Sequence, residues 1–91
     1  MEARLNAQQA SPAAYAAMIG LEIFVRKGSK LEPSLVELVK VRASQINGCA
    51  YCIDIHAKDA RTGGETEQRL YALTSLRETP FFAAQERAAL A

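Results

Sequence analysis

Pro33-Ser-Leu-Val-Glu37-Leu-Val-Lys-Val-Arg-Ala-Ser-Gln-Ile-Asn47-Gly48-Cys49-Ala-Tyr-Cys52-Ile-Asp-Ile-His56 decides the fold. Proline suits the first position of a helix, where its missing N–H had no partner, and Asn47-Gly48 favours positive φ and so stops one. Between these marks Leu35, Val36, Leu38, Val39, Val41 and Ile46 cover much of the circumference. A helix that apolar is mostly buried, which makes Glu37 inside it the first residue to explain. A second helix follows at once, from about Cys49 to Arg61, and Gly63-Gly64 ends it.

Working outward, Ser11-Pro12 is a helix start, with the serine able to accept a bond from a free N–H. Residues 12 to 27 read as one helix. Tyr15, Met18, Ile19 and Ile23 share an apolar stripe, Arg26 and Lys27 lie at the negative end of the dipole, and Gly28 is the expected cap. Towards the C-terminus a shorter helix spans about Thr66 to Leu73, with Leu70, Tyr71 and Leu73 as core candidates, and another starts near Ala83. No period-two segment of strand length interrupts this pattern, so the fold class is all-α with about five helices.

Ninety-one residues suffice for one small domain, 1–91, and exclude two. The hydrophobic fraction of 49% includes seventeen alanines and no tryptophan, so the core is expected to be thin. A net charge of +1 supplies no one-sided field for nucleic acid or an anionic membrane, and neither is expected as a partner. The longest apolar stretch, Pro12 to Leu21, is short of the roughly 20 residues that span a bilayer, and Met-Glu-Ala-Arg-Leu-Asn lacks the character of a secretory signal. A cytoplasmic location is the expectation.

The chemistry concentrates in Cys49-Ala-Tyr-Cys52-Ile-Asp-Ile-His56. On a helix Cys49 and Cys52 are i and i+3, and Cys52 and His56 are i and i+4, so both sulfurs and the only histidine share a face. The first turn of a helix, with its free N–H groups and positive dipole end, favours a thiolate. A CxxC pair there can act as attacking and resolving thiols, with the histidine carrying the proton. If the helices pack as a hairpin, Glu37 reaches His56 directly or through a water. Three other readings stay open: two small buried side chains, a zinc site of Cys49, Cys52, His56 and Glu37, or a non-enzymatic redox-sensing or interaction module that uses the Cys49–Cys52 disulfide as a switch.

Glu37, eleven intervening residues and Cys49-x-x-Cys52-x-x-x-His56 resemble the signature of the alkyl hydroperoxidase D-like core, within the carboxymuconolactone decarboxylase family. The resemblance extends through Val39 to Gly48 and Glu65 to Leu73, and covers roughly residues 13 to 91. It implies an all-helical homo-oligomer, a trimer or hexamer, and a thiol-dependent peroxidase with no metal or other cofactor. Glu37, through His56 and a water, would deprotonate Cys52. Cys52 would attack a hydroperoxide, Cys49 would resolve the sulfenic acid, and an external dithiol reductant or carrier protein would restore the pair. Tyr51 departs from the founding peroxidases, which carry a histidine directly before the second cysteine. The family's decarboxylase branch generally lacks the CxxC pair present here. Relatives usually continue with further helices, so the uncapped pattern at Ala91 suggests the core of a longer protein, a truncation or a minimal version, and the thin core suggests an obligate oligomer.

Overall fold

Proline at the head of one helix and a left-handed glycine at its foot frame the element around which the rest is arranged. The computed structural model describes residues 4–91, in which every regular element is helical. Six α-helices run in chain order: α1 (Ala7–Ala10), α2 (Pro12–Ile23), α3 (Pro33–Asn47), α4 (Ala50–Thr62), α5 (Glu67–Ala72) and α6 (Ala84–Leu90). The all-α expectation holds, with one short helix more than the sequence pattern marked. The chain forms two compact units, Met1–Leu31 and Glu32–Ala91.

In the first unit α1 is capped by Asn6, whose Oδ1 accepts the Gln9 N–H at 3.0 Å. Ser11 stands at the N-cap of α2, yet its side chain makes no cap bond; its own N–H donates to the Ala7 carbonyl and so joins the two helices. The single helix expected over 12 to 27 is α-helical only to Ile23 and widens to a π-helix over Phe24–Gly28. Gly28 is not the expected left-handed cap. A Cβ there would lie 2.8 Å from the Phe24 ring, so this glycine answers a close approach within the wide turn.

The second unit matches its sequence marks closely. Gly48, at φ 68° and ψ 29°, ends α3, and Gly64, at φ 100°, follows the end of α4. Thr66 caps α5 by accepting the Arg69 N–H at 3.2 Å, and a 3-10 turn over Leu73–Ser75 continues from α5. Helix α3 packs along α4 and also meets α6 and the 3-10 turn. Their shared core is Leu38, Val41, Ala60, Leu70, Leu73, Leu76, Phe82 and Leu90.

Two features depart from the expected core. Val39 and Ile46 are exposed, so α3 buries Leu35, Val36, Leu38 and Val41 and leaves the other side open. Tyr71 is 75% exposed, because a six-residue helix directs only Leu70 inward and the next position turns about 100° away.

The irregular segment between α5 and α6 is fixed by arginines. Arg69 forms an ion pair with Glu86, lies 3.0 Å from Glu65 Oε1, donates to the Phe81 carbonyl at 3.0 Å and stacks over the Phe82 ring. Arg87 donates to the Leu76 and Thr79 carbonyls. Arg42, on α3, donates to the Leu90 carbonyl at 3.0 Å, a cation placed on the negative end of α6. The Arg69 hydrogen bond holds the Glu86 carboxyl below its ordinary value; desolvation opposes it, and the Ala83 N–H and the Arg69 charge assist.

Candidate functional site

The left-handed turn at Gly48 delivers the chain directly into α4, with Cys49 as its N-cap and Cys52 in its first turn. The two cysteines are joined as a disulfide, with Cα atoms 5.3 Å apart. Cys49 Sγ accepts the Cys52 N–H at 3.2 Å, so a sulfur does the capping work usually done by serine or aspartate. Both side chains are half-buried. The first-turn N–H groups and the positive dipole end act on this sulfur, and would stabilise it as a thiolate after reduction. In the oxidised form neither sulfur offers a thiolate, so the Cys-Cys-His-Glu zinc set is not assembled.

His56 lies one turn after Cys52 on α4 and is half-buried. Glu37 is half-buried on α3, and the packing of α3 against α4 brings it to His56. A carboxylate oxygen of Glu37, a ring nitrogen of His56 and a carboxylate oxygen of Asp59 all lie within 4.8 Å of one another. Two hydrogen bonds through one water span that separation. Glu37 Oε2 and His56 Nδ1 are each inaccessible and make no hydrogen bond within the protein. Buried polar atoms of that kind are costly to leave unmet, so each calls for a polar partner. With Asp59, the trio also offers one nitrogen and two oxygens of the types that hold divalent cations.

The structure therefore brings Glu37 to His56 and sets His56 one turn from the disulfide. Asp59 is the neighbour that sequence reasoning missed, although its position three residues after His56 already put it on that face. Tyr51, between the cysteines, is 62% exposed. Asp54 and Lys58 form the exposed ion pair their spacing suggests, at 3.0 Å. On another side of α4, Val41, Gln45, Ile53, Ala57, Leu70 and Tyr71 are among the residues lining an open groove of about 550 Å³. Phe82 is core and does not line this groove.

The sequence pattern of the carboxymuconolactone decarboxylase family matches residues 10–91. The chain belongs to that family. Among its relatives, the uncharacterized protein YdfG of Bacillus subtilis is 41% identical over 90 residues, which cover 99% of this chain and 60% of YdfG. The uncharacterized protein YnjA of Escherichia coli is 34% identical over 65 residues, 71% of this chain and 36% of YnjA. A crystal structure from Agrobacterium tumefaciens superposes with a TM-score of 0.84 at 44% identity, covering 96% of this chain and 59% of that one. That protein is of unknown function, and a role in antioxidant defence of the AhpD kind has been ascribed to it. This carboxymuconolactone decarboxylase family chain thus spans about 60% of the length of YdfG and of the Agrobacterium protein. No helix among its described residues is long and apolar enough to cross a membrane.

Proposed function

We propose that this chain carries the redox centre of a cytoplasmic, homo-oligomeric thiol peroxidase, a trimer or hexamer, which reduces hydroperoxides through Cys52 and Cys49. The observation that carries the reading is the Cys49–Cys52 disulfide at the head of a helix, with His56 one turn on and Glu37 within a water's reach of it. In the reduced form Glu37, through the bridging water and His56, takes the Cys52 proton. The Cys52 thiolate attacks a peroxide oxygen: an S–O bond forms, the O–O bond breaks, and the alcohol leaves with a proton. Cys49 then attacks the Cys52 sulfenic acid, the S–S bond forms and water departs. A small-molecule dithiol or a carrier protein returns two electrons and two protons to complete the cycle.

Cys49 is the better-stabilised sulfur, since it receives the Cys52 N–H, which also suits it as a leaving group when an external thiol attacks the disulfide at Cys52. Peroxide added to reduced protein is expected to give the disulfide. Cys49→Ser should stop at a sulfenic acid trapped on Cys52, and Cys52→Ser should be inert. Hydroperoxide consumption by Cys52→Ser at the wild-type rate would remove the assignment. A second reading, exchange with protein disulfides in place of peroxide reduction, is favoured by the exposed Tyr51 standing where the founding peroxidases carry a histidine. Turnover with hydroperoxide against turnover with a model disulfide separates the two.

A further inference from the structure

We propose that Asp59 is a positioning residue for His56: its carboxylate, with that of Glu37, accepts the imidazole N–H through one water, and so selects the ring tautomer. His56 stands on α4 between Cys52, one turn before it, and Asp59, one turn after it. An imidazole has nitrogens on two edges, so an N–H held at a carboxylate leaves the other nitrogen's lone pair free for a thiol proton. The structure puts an Asp59 oxygen within 4.8 Å of both a His56 nitrogen and a Glu37 oxygen.

Asp59 differs from Glu37 in its surroundings. Glu37 is half-buried with one oxygen inaccessible and unbonded, whereas Asp59 is exposed. The simpler role for a surface aspartate is a helical ion pair. The cations beside it on α4 are already engaged: Lys58 with Asp54 at 3.0 Å, and Arg61 with the Glu65 carbonyl at 2.7 Å and with Glu67 at 3.7 Å. The His56 imidazole is the N–H donor that the geometry brings to Asp59.

The purpose assigned to Asp59 rests on the proposed thiol chemistry, but the tautomer can be measured without it. The chain has one histidine, so long-range proton–nitrogen correlation spectra of labelled, reduced protein report His56 alone. With the ring neutral, the wild type is expected to show one dominant tautomer. Asp59→Ala and Asp59→Asn should convert it to a mixture, and Asp59→Glu should restore it. In hydroperoxide turnover, Asp59→Asn should lower kcat about tenfold or more and leave KM within about twofold. Unchanged ring nitrogen shifts in Asp59→Ala, with the shifts moved by Glu37→Gln alone, would overturn the inference. Should the wild type consume no hydroperoxide, the peroxidase reading falls, and the ring spectra still decide the role of Asp59.

Discussion

Reducing the Cys49–Cys52 disulfide should weaken the fold by a limited amount and leave it intact. The bridge closes a loop of only four residues, from the N-cap of α4 to its first turn. In the chain-entropy account, a loop that short removes about 2 kcal/mol of freedom from the unfolded chain at 25 °C. A unit the size of Glu32–Ala91 has roughly 3–9 kcal/mol in total, so the loss is visible but survivable. The hydrophobic core contains neither sulfur, and a Cys49 thiol or thiolate is still an acceptor of the kind that the Cys52 N–H uses in the bridged form. Urea unfolding with and without a phosphine reductant should show a lower midpoint and a similar slope, and Tm should fall by roughly 8–16 °C. The double variant Cys49→Ala/Cys52→Ala serves as the reductant-insensitive control. A loss above about 4 kcal/mol, or loss of cooperative unfolding, would identify the bridge as a structural staple and contradict a centre that cycles between dithiol and disulfide.

Three further outcomes follow from the packing. Arg69→Met removes the bonds to Glu86 and the Phe81 carbonyl and the pairing with Glu65, and should cost about 2 kcal/mol in urea unfolding, since charge-assisted bonds contribute about 1.5–3 and these groups are partly exposed. Because the Glu86 carboxyl is held below 4.5, the unfolded chain binds its proton more readily; that stability is present above the unfolded value and is lost as pH falls through the lower folded one. Unfolding measured from pH 7 down to pH 3 should show a steeper acid limb in the wild type than in Glu86→Gln. Gly48→Ala should cost about 1–2 kcal/mol and Gly48→Asn less, because nothing crowds a Cβ there and only the positive φ opposes it; thermal melts check the order.

The stretch Pro33 to His56 was legible because its stop and start are local backbone chemistry: Asn47-Gly48 ends α3, and the cysteine after it caps α4. Spacing alone gave the shared face of Cys49, Cys52 and His56. Its counterpart on α3 was reachable only through the hairpin and the family resemblance, since Glu37 is half-buried against a different helix. Where apolar residues cover much of a helix's circumference, as they do on α3, pattern cannot say which side is covered, and Val39 and Ile46, expected in the core, are exposed. The π-helix at Phe24–Gly28 is not legible in the sequence because an i+5 turn leaves no compositional mark beyond a glycine that also resembles a cap. The arginine contacts to Phe81, Leu76, Thr79 and Leu90 carbonyls join residues 8 to 48 positions apart, beyond the reach of any local pattern.

Because Cys49 is both a redox sulfur and the acceptor for the Cys52 amide, α4 carries its own indicator of the sulfur's condition. Alkylation of Cys49, or its oxidation to a sulfinate, changes the acceptor that this amide depends on, and hydrogen–deuterium exchange at that one position should register the change. Reduced, bridged and over-oxidised molecules in a mixed sample could thus be counted from a backbone signal, with no label attached to either cysteine.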